Sequence, residues 1–303
     1  MTYLIEQANV LKENKIEKCS IVVKGTNIDY ISSSNKRFTF MKMNLSNYLL
    51  TPGHVMMNYT FTETTPFKEF KAVLQKDYVD KGCTTLISIC DVKKEYELFD
   101  KINRKKNTLI NSPIDFYIGI KIPLKLLTPS FIRACKRVKI PIVIVEIDDV
   151  SDLQQVPWGW IKEAFYPYFF PLIPKWNIKE KSFFNANNHI GLWDEIMAEH
   201  GIASINACPE EGVPLSLDLL KKMGVYPDKG DIRIRGAMDY NLYNIDDLSY
   251  SLEQKPSFDF QTFRPIITMH KGKFLKVDHQ TFFSPGFGKE CKVKLPGYFV
   301  SSK

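Results

Sequence analysis

Ile114-Asp115-Phe116-Tyr117-Ile118-Gly119-Ile120-Lys121-Ile122 is a nearly unbroken apolar run rich in β-branched residues. Six residues later, Thr128-Pro129-Ser130 opens a stretch of helical spacing over 128–138, and a second apolar run follows over 140–147. A hydroxyl residue directly before proline marks a helix start, because the side chain caps an orphan N–H and the proline needs none. Strands that are apolar on both faces are buried on both, as in a parallel sheet covered by helices. The same alternation extends toward the amino end, with a helix predicted over 95–104, a strand over 84–89 and a helix over 67–81. The middle of the chain is therefore α/β.

The ends read differently. Tyr3-Leu4-Ile5, Ser20-Ile21-Val22-Val23 before Lys24-Gly25, Ile28-Asp29-Tyr30-Ile31 and residues 37–43 are short strands between polar turns, predicting a small antiparallel sheet. The pattern changes at Pro52-Gly53. Toward the carboxyl end, helices are predicted over 192–200 and 216–223, and strands over 232–234, 240–243, 266–270, 273–277 and 292–295. Between these parts, 156–176 is dense in aromatic residues and proline, including Trp158, Trp160, Tyr166, Phe169, Phe170 and Trp176. Such a stretch serves as a core plug, a ligand wall or a subunit contact.

Composition narrows the function classes. A chain of 303 residues that is 44% hydrophobic and 25% charged is globular, which excludes a disordered or fibrous protein. The net charge of +7 is dispersed, and its densest run (Lys101, Arg104, Lys105, Lys106) reads as a solvated helix end, so no nucleic-acid partner is expected. The six cysteines form no CxxC or Cys/His cluster and read as buried free thiols of a reducing compartment; Cys83 and Cys90 flank an apolar strand and read as core. The first residues lack a signal-peptide pattern, and no apolar run approaches the roughly eighteen residues of a membrane span. A cytoplasmic protein without membrane contact is expected.

Several segments, taken in order, resemble the cyclic amidohydrolases, the dihydroorotase, hydantoinase and allantoinase branch of the metal-dependent amidohydrolase superfamily. The opening resembles the family's in Leu4-Ile5, Ala8, Val10, Ile21-Val22-Val23-Lys24-Gly25 and Leu49-Leu50-Thr51-Pro52-Gly53. His189-Ile190-Gly191-Leu192-Trp193-Asp194-Glu195 is similar to a hydantoinase helix start. Met223-Gly224-Val225-Tyr226-Pro227-Asp228-Lys229-Gly230-Asp231-Ile232 and Asp239-Tyr240-Asn241-Leu242-Tyr243 resemble the family's return into its terminal sheet. The resemblance implies a composite β-sandwich from residues 1–50 and 224–303 around a (β/α)-barrel over 51–223. A complete barrel takes about 250 residues and rarely fewer than about 200. The barrel is thus expected to be incomplete, with an open edge covered by the aromatic stretch, a second subunit or another protein.

The resemblance also implies a chemistry that these residues only partly support. Family members hydrolyse a cyclic amide with hydroxide generated on bound metal, commonly zinc. The family's His-x-His positions fall here on Asn58 and Thr60, the preceding Asp on Met56, the carboxylated lysine on Lys121 and a third His on Glu146. The later Asp-His-x-Pro pattern is missing between 149 and 189. An amide and a neutral hydroxyl are poor zinc ligands, so no metal or other cofactor is expected. Asn58, Thr60, Lys121 and Glu146 are then degenerate ligand positions.

Three functions compete. The first is a catalytically inactive homologue acting as a binding or scaffolding protein. The second is a divergent C–N hydrolase using a reduced site of Lys121, Glu146, Asp148 and His54, with Asp149 extending the acidic strand end. The third is a structural subunit of a larger assembly, contacting it through 158–176. A homo-oligomer or a protein partner is expected in each case. Gly286-Phe287-Gly288-Lys289 is phosphate-loop-like only superficially, and a turn in the terminal sheet is the better reading.

Overall fold

The computed structural model describes residues 2–12, 15–33, 38–177, 186–246, 260 and 262–297. The first strands, β1 (Thr2–Lys12), β2 (Lys15–Lys24) and β3 (Asn27–Ser32), are antiparallel neighbours. β1 shifts register between Ile5 and Ala8, where Gln7 has φ 55°. Because of that bend its first half pairs in parallel with β4 (Met41–Asn44) and its second half with β5 (Tyr48–Pro52).

The chain then enters a parallel half-barrel of β6 (His54–Asn58), β7 (Cys83–Asp91), β8 (Asp115–Pro123), β9 (Val143–Ile147) and β10 (Leu172–Trp176), in sequential order. The helical segment predicted over 67–81 is α1 (Phe67–Val73), continued by a wide turn, Leu74–Tyr78, and a tight one, Val79–Lys81. α2 (Leu98–Thr108), α3 (Pro129–Arg137) and α4 (Trp158–Phe165) supply the remaining crossovers. The Thr128 hydroxyl accepts from Phe131 N at 3.1 Å with Pro129 in the first turn, the start that the Thr-Pro pair predicts. α5 (Ala186–His200) and α6 (Leu217–Met223) follow, and α6 starts on a Ser216 cap.

The carboxyl strands β11 (Tyr240–Asn244), β12 (Ile267–His270), β13 (Lys273–Val277) and β14 (Gln280–Thr281) extend the first sheet, with β11 antiparallel to β5. Among the described residues these strands belong to one nine-stranded mixed sheet bent at β1, where the resemblance implied a sandwich. One of its apolar clusters includes Ile5, Val10, Ile21, Val23, Leu50 and Leu242.

Several expectations are corrected. Residues 232–234 are not a strand; the chain there runs beside the β2–β3 turn, with Arg235 N donating to Ile28 O and Met238 N to Thr26 O. Residues 292–295 are not a strand either, although Cys291 N donates to Phe116 O at 2.7 Å and covers the start of β8. The aromatic stretch is the last helix-and-strand unit. Its Trp158 and Phe165 are buried, Trp158 Nε1 donates to Leu153 O at 2.8 Å, and the Phe165 and Phe170 rings meet at 4.7 Å. The basic run is not uniformly solvated, because Lys105 is 5% exposed and donates to Phe61 O. Burial lowers its pKa to about 8.

Buried charge joins the two sheets. Lys229 Nζ donates to Asp115 Oδ2 and to Asp239 Oδ2, both at 2.7 Å. Asp115 opens β8 and Asp239 immediately precedes β11, so one ammonium ties the half-barrel to the mixed sheet. Lys271 Nζ and Lys289 N add to Asp115 Oδ1, and His270 Nδ1 lies 2.9 Å from Asp239 Oδ1. The Gly286–Lys289 turn thus presents an N–H to a carboxylate of the seam. A Cβ on Gly288 would fall 1.9 Å from Ile114 O, so only glycine permits this approach. Burial opposes ionisation of both Asp115 and Asp239, but His270 and Lys229 hold each well below its usual range, Asp239 at about 2.

Lys229→Met removes the cation and leaves two buried carboxylates underpaired, a loss on the order of 3–5 kcal/mol that urea denaturation is expected to record. Burial alone would lower the His270 pKa, but the hydrogen bond to Asp239 and the nearby Asp115 carboxylate outweigh it and raise it. Protonated His270 therefore contributes stability fully below about pH 6.5 and loses it as pH rises through the higher folded pKa. His270→Gln is expected to abolish that component, so the wild-type advantage over the variant in urea midpoint shrinks from pH 6 to pH 9, taken as ~3 pH units around this range.

Candidate functional site

The carboxyl end of β6 carries Asn58, fully buried, followed by Tyr59 and Thr60. Ser88 Oγ, from β7, donates to Asn58 Oδ1 at 2.9 Å, which turns Nδ2 toward the mouth of the half-barrel. There a residue far away in sequence meets it. Glu211 Oε1 lies 2.9 Å from Asn58 Nδ2, 3.0 Å from Tyr59 N, 3.2 Å from Thr60 N, 2.7 Å from Thr60 Oγ1 and 2.6 Å from Tyr78 OH. Asn58 Nδ2 also donates to Tyr78 OH at 2.8 Å, so the tyrosine passes a hydrogen bond on to the carboxylate. Burial alone would raise the Glu211 pKa, but hydrogen bonds from Tyr78, Thr60 and the two backbone amides lower it, leaving an ionised carboxylate.

Glu211 arrives on a connection that serves both edges of the half-barrel. Ala203 O accepts from Leu172 N at 3.0 Å and Ser204 Oγ donates to Leu172 O at 2.6 Å, on the β10 side. On the β6 side, Gly212 N donates to Met57 O at 3.2 Å and Leu215 N to Val55 O at 2.9 Å. Tyr59 OH pins the same loop by donating to Pro209 O at 2.8 Å and lies 3.2 Å from Cys208 Sγ. The open edge is therefore met by the chain's own 203–215 connection, where the aromatic stretch, a subunit or another protein was expected.

Lys121 lies on β8 between Asp91 Oδ2 at 3.0 Å and Glu146 Oε1 at 3.4 Å, and Lys175 Nζ shares Glu146 Oε1 at 3.1 Å. Burial opposes its charge, but these carboxylates raise its pKa. Carboxylation requires the neutral amine, so this setting disfavours it. Glu146 is held below its ordinary pKa by Lys175 and Lys121 against the opposing effect of burial. Asp148 is exposed and accepts from Asn177 Nδ2 at 3.2 Å, and Asp149 caps the turn that follows by accepting from Ser151 N at 2.9 Å.

His54 does not join these groups. It opens β6 at the end opposite Asn58, about 13 Å along the strand, and its Nε2 lies 2.8 Å from Tyr243 OH in the seam with β11. Burial pushes its pKa down to about 3, so it is a neutral packing residue. Cys83 and Cys90 are buried with thiol pKa values raised by desolvation to about 12 and about 11, the unreactive core role that the sequence predicts.

Zinc needs lone pairs from imidazole, thiolate or carboxylate. At the mouth, Asn58 and Thr60 present hydrogens to Glu211, Asn58 Oδ1 is taken by Ser88, and Lys121 is an ammonium. These residues do not fit the metal that the resemblance implies. Asp115, Asp239 and His270 are the one metal-ligand cluster found among the described residues, and it lies in the seam. Lys229 and Lys271 already neutralise it, so it does not fit either. Glu211 and Tyr78 were missed in sequence. Glu211 sits in a loop, Cys208-Pro209-Glu210-Glu211-Gly212, whose only signal is a pair of acids beside a turn glycine.

No protein-family model matches the sequence, and no curated protein matches it. Solved structures do. The chain is similar to dihydropyrimidinase from Brevibacillus agri NCHU1002, with TM-score 0.57 and 12% identity over 100% of both chains. D-hydantoinase (dihydropyrimidinase) from Thermus sp. gives 0.57 and 15% over 98% of this chain and 100% of that one. L-hydantoinase (dihydropyrimidinase) from Arthrobacter aurescens gives 0.54 and 12% over 95% and 99%. The fold is therefore like that of the hydantoinases.

Tyr78→Phe deletes a hydrogen bond to an ionised acceptor and is expected to cost ~1.5–3 kcal/mol in chemical denaturation. His54→Phe, at the other end of β6, is expected to leave the Glu211 cluster intact, read as an unchanged Tyr78→Phe penalty in the double variant.

Proposed function

We propose that this chain is a catalytically inactive relative of the dihydroorotases and hydantoinases, its fold retained as a binding or scaffolding module. The observation that carries the reading is the contact of Asn58 and Thr60 with Glu211. Positions that would offer lone pairs to a metal in a working amidohydrolase offer hydrogens to a carboxylate here. A hydroxide nucleophile at neutral pH needs a cation to lower the pKa of water, and this donor set attracts anions. Lys121, neutralised by Asp91 and Glu146, adds no nucleophile. The reduced hydrolase of Lys121, Glu146, Asp148 and His54 loses its support because His54 lies at the far end of β6. As a module without turnover, the protein works through a protein partner or a second copy of itself.

The test is hydrolysis of hydantoin and dihydrouracil by the purified protein, with and without added zinc. Ring opening is expected to stay at the buffer rate in both conditions. Zinc-dependent turnover that chelation removes would overturn the reading.

A further inference from the structure

We propose that the mouth of the half-barrel is a carboxylate-binding site, filled in cis by Glu211 and able to take a small free carboxylate such as formate or acetate in its place. This deepens the reading above, since it rests on the mouth being an anion site and not a metal site.

Five donor atoms converge on one oxygen, Glu211 Oε1, from the end of β6 with the two residues after it and from the wide turn Leu74–Tyr78. Asn58 is the last residue of β6 and is oriented by Ser88. Tyr78 closes the wide helical turn Leu74–Tyr78 and is 1% exposed. Tyr59 N and Thr60 N are successive backbone amides pointing the same way, an arrangement that forms an anion-holding concavity. The donors are neutral, so recognition rests on hydrogen bonds that an ionised acceptor strengthens. A neutral amide can offer these donors only its uncharged carbonyl oxygen, so it is expected to bind more weakly than a carboxylate.

Glu211 behaves as a tethered ligand. Gly212, at φ 66°, turns the chain directly after it, and Gly212 N is held by Met57 O. Tyr59 OH holds the loop from the other side at Pro209 O. Tethering gives the side chain a high effective concentration, so a free carboxylate competes poorly with it in the intact protein. Removing the side chain leaves the five donors with room for a carboxylate of formate or acetate size.

The experiment uses the full chain as wild type and Glu211→Ala, with thermal melting followed in formate, acetate, chloride and acetamide at matched ionic strength. Glu211→Ala is expected to melt several degrees below wild type. Formate or acetate is expected to restore much of that loss in a saturable manner, chloride to restore none, acetamide to restore less than either carboxylate, and wild type to be unmoved. Adding Asn58→Leu to Glu211→Ala is expected to abolish the restoration. No restoration, equal restoration by chloride, or an equal shift of wild type would overturn the proposal. If Glu211→Ala precipitates, the yield of soluble protein on refolding in formate against chloride is read instead, and equal yields overturn it. Zinc-dependent hydrolysis by wild type would sink the functional reading on its own, and the formate result would still decide whether the vacated cradle holds a carboxylate.

Discussion

Lys229 is a cation enclosed by protein, and the architecture depends on the two carboxylates that justify its burial. An isolated ammonium in such a setting would lose its proton or unfold its surroundings. Asp115 and Asp239, each 2.7 Å away, keep it charged, and they come from different sheets. The half-barrel cannot slide against the mixed sheet without breaking one of these contacts. Lys271, Lys289 N and His270 complete the set, so strands β8 and β12, the start of β11 and the terminal turn converge on one point. The interaction contributes more to register than to net stability, because desolvation of buried ions offsets much of their attraction.

With that seam fixed, the opposite end of the half-barrel is free to vary in chemistry. β6 delivers Asn58 and Thr60 to the place where the resemblance puts two histidines. The connection from β10 back to β6 brings Glu211 across the same space, and hydrogen bonds take over the cohesive role that a metal would have. A half-buried carboxylate held by neutral donors needs neither a cation nor a bound cofactor to stay in place. A hydantoinase-like fold and a mouth filled by a carboxylate side chain are thus compatible in one chain.

The fold was legible where burial on both faces leaves a continuous apolar run. The runs over 84–89 and 114–122 fall on β7 and β8 for that reason, and Thr128-Pro129 marks a helix start by local chemistry alone. Residues 232–234 misled because an Ile-Arg-Ile alternation is shared by a strand and by an extended segment bonded to a turn. Asn58, Thr60, Lys121 and Glu146 were legible as altered positions. What replaces the metal was not, since Glu211 reaches Asn58 across 153 residues from a loop without periodicity. His54 and Asp148 were grouped with Lys121 by residue type, and only the direction of β6 separates His54 from them. Lys229 and Asp239 stood inside recognisable segments, yet their partner Asp115 lay unnoticed at the head of the deciding strand.

Elemental analysis of the purified protein after exposure to zinc and desalting reads directly whether the mouth can hold a catalytic metal. No retained metal is expected, in wild type and in Asn58→Ala alike. Zinc retained stoichiometrically by wild type and lost in Asn58→Ala would show a working metal centre instead of a carboxylate-filled mouth.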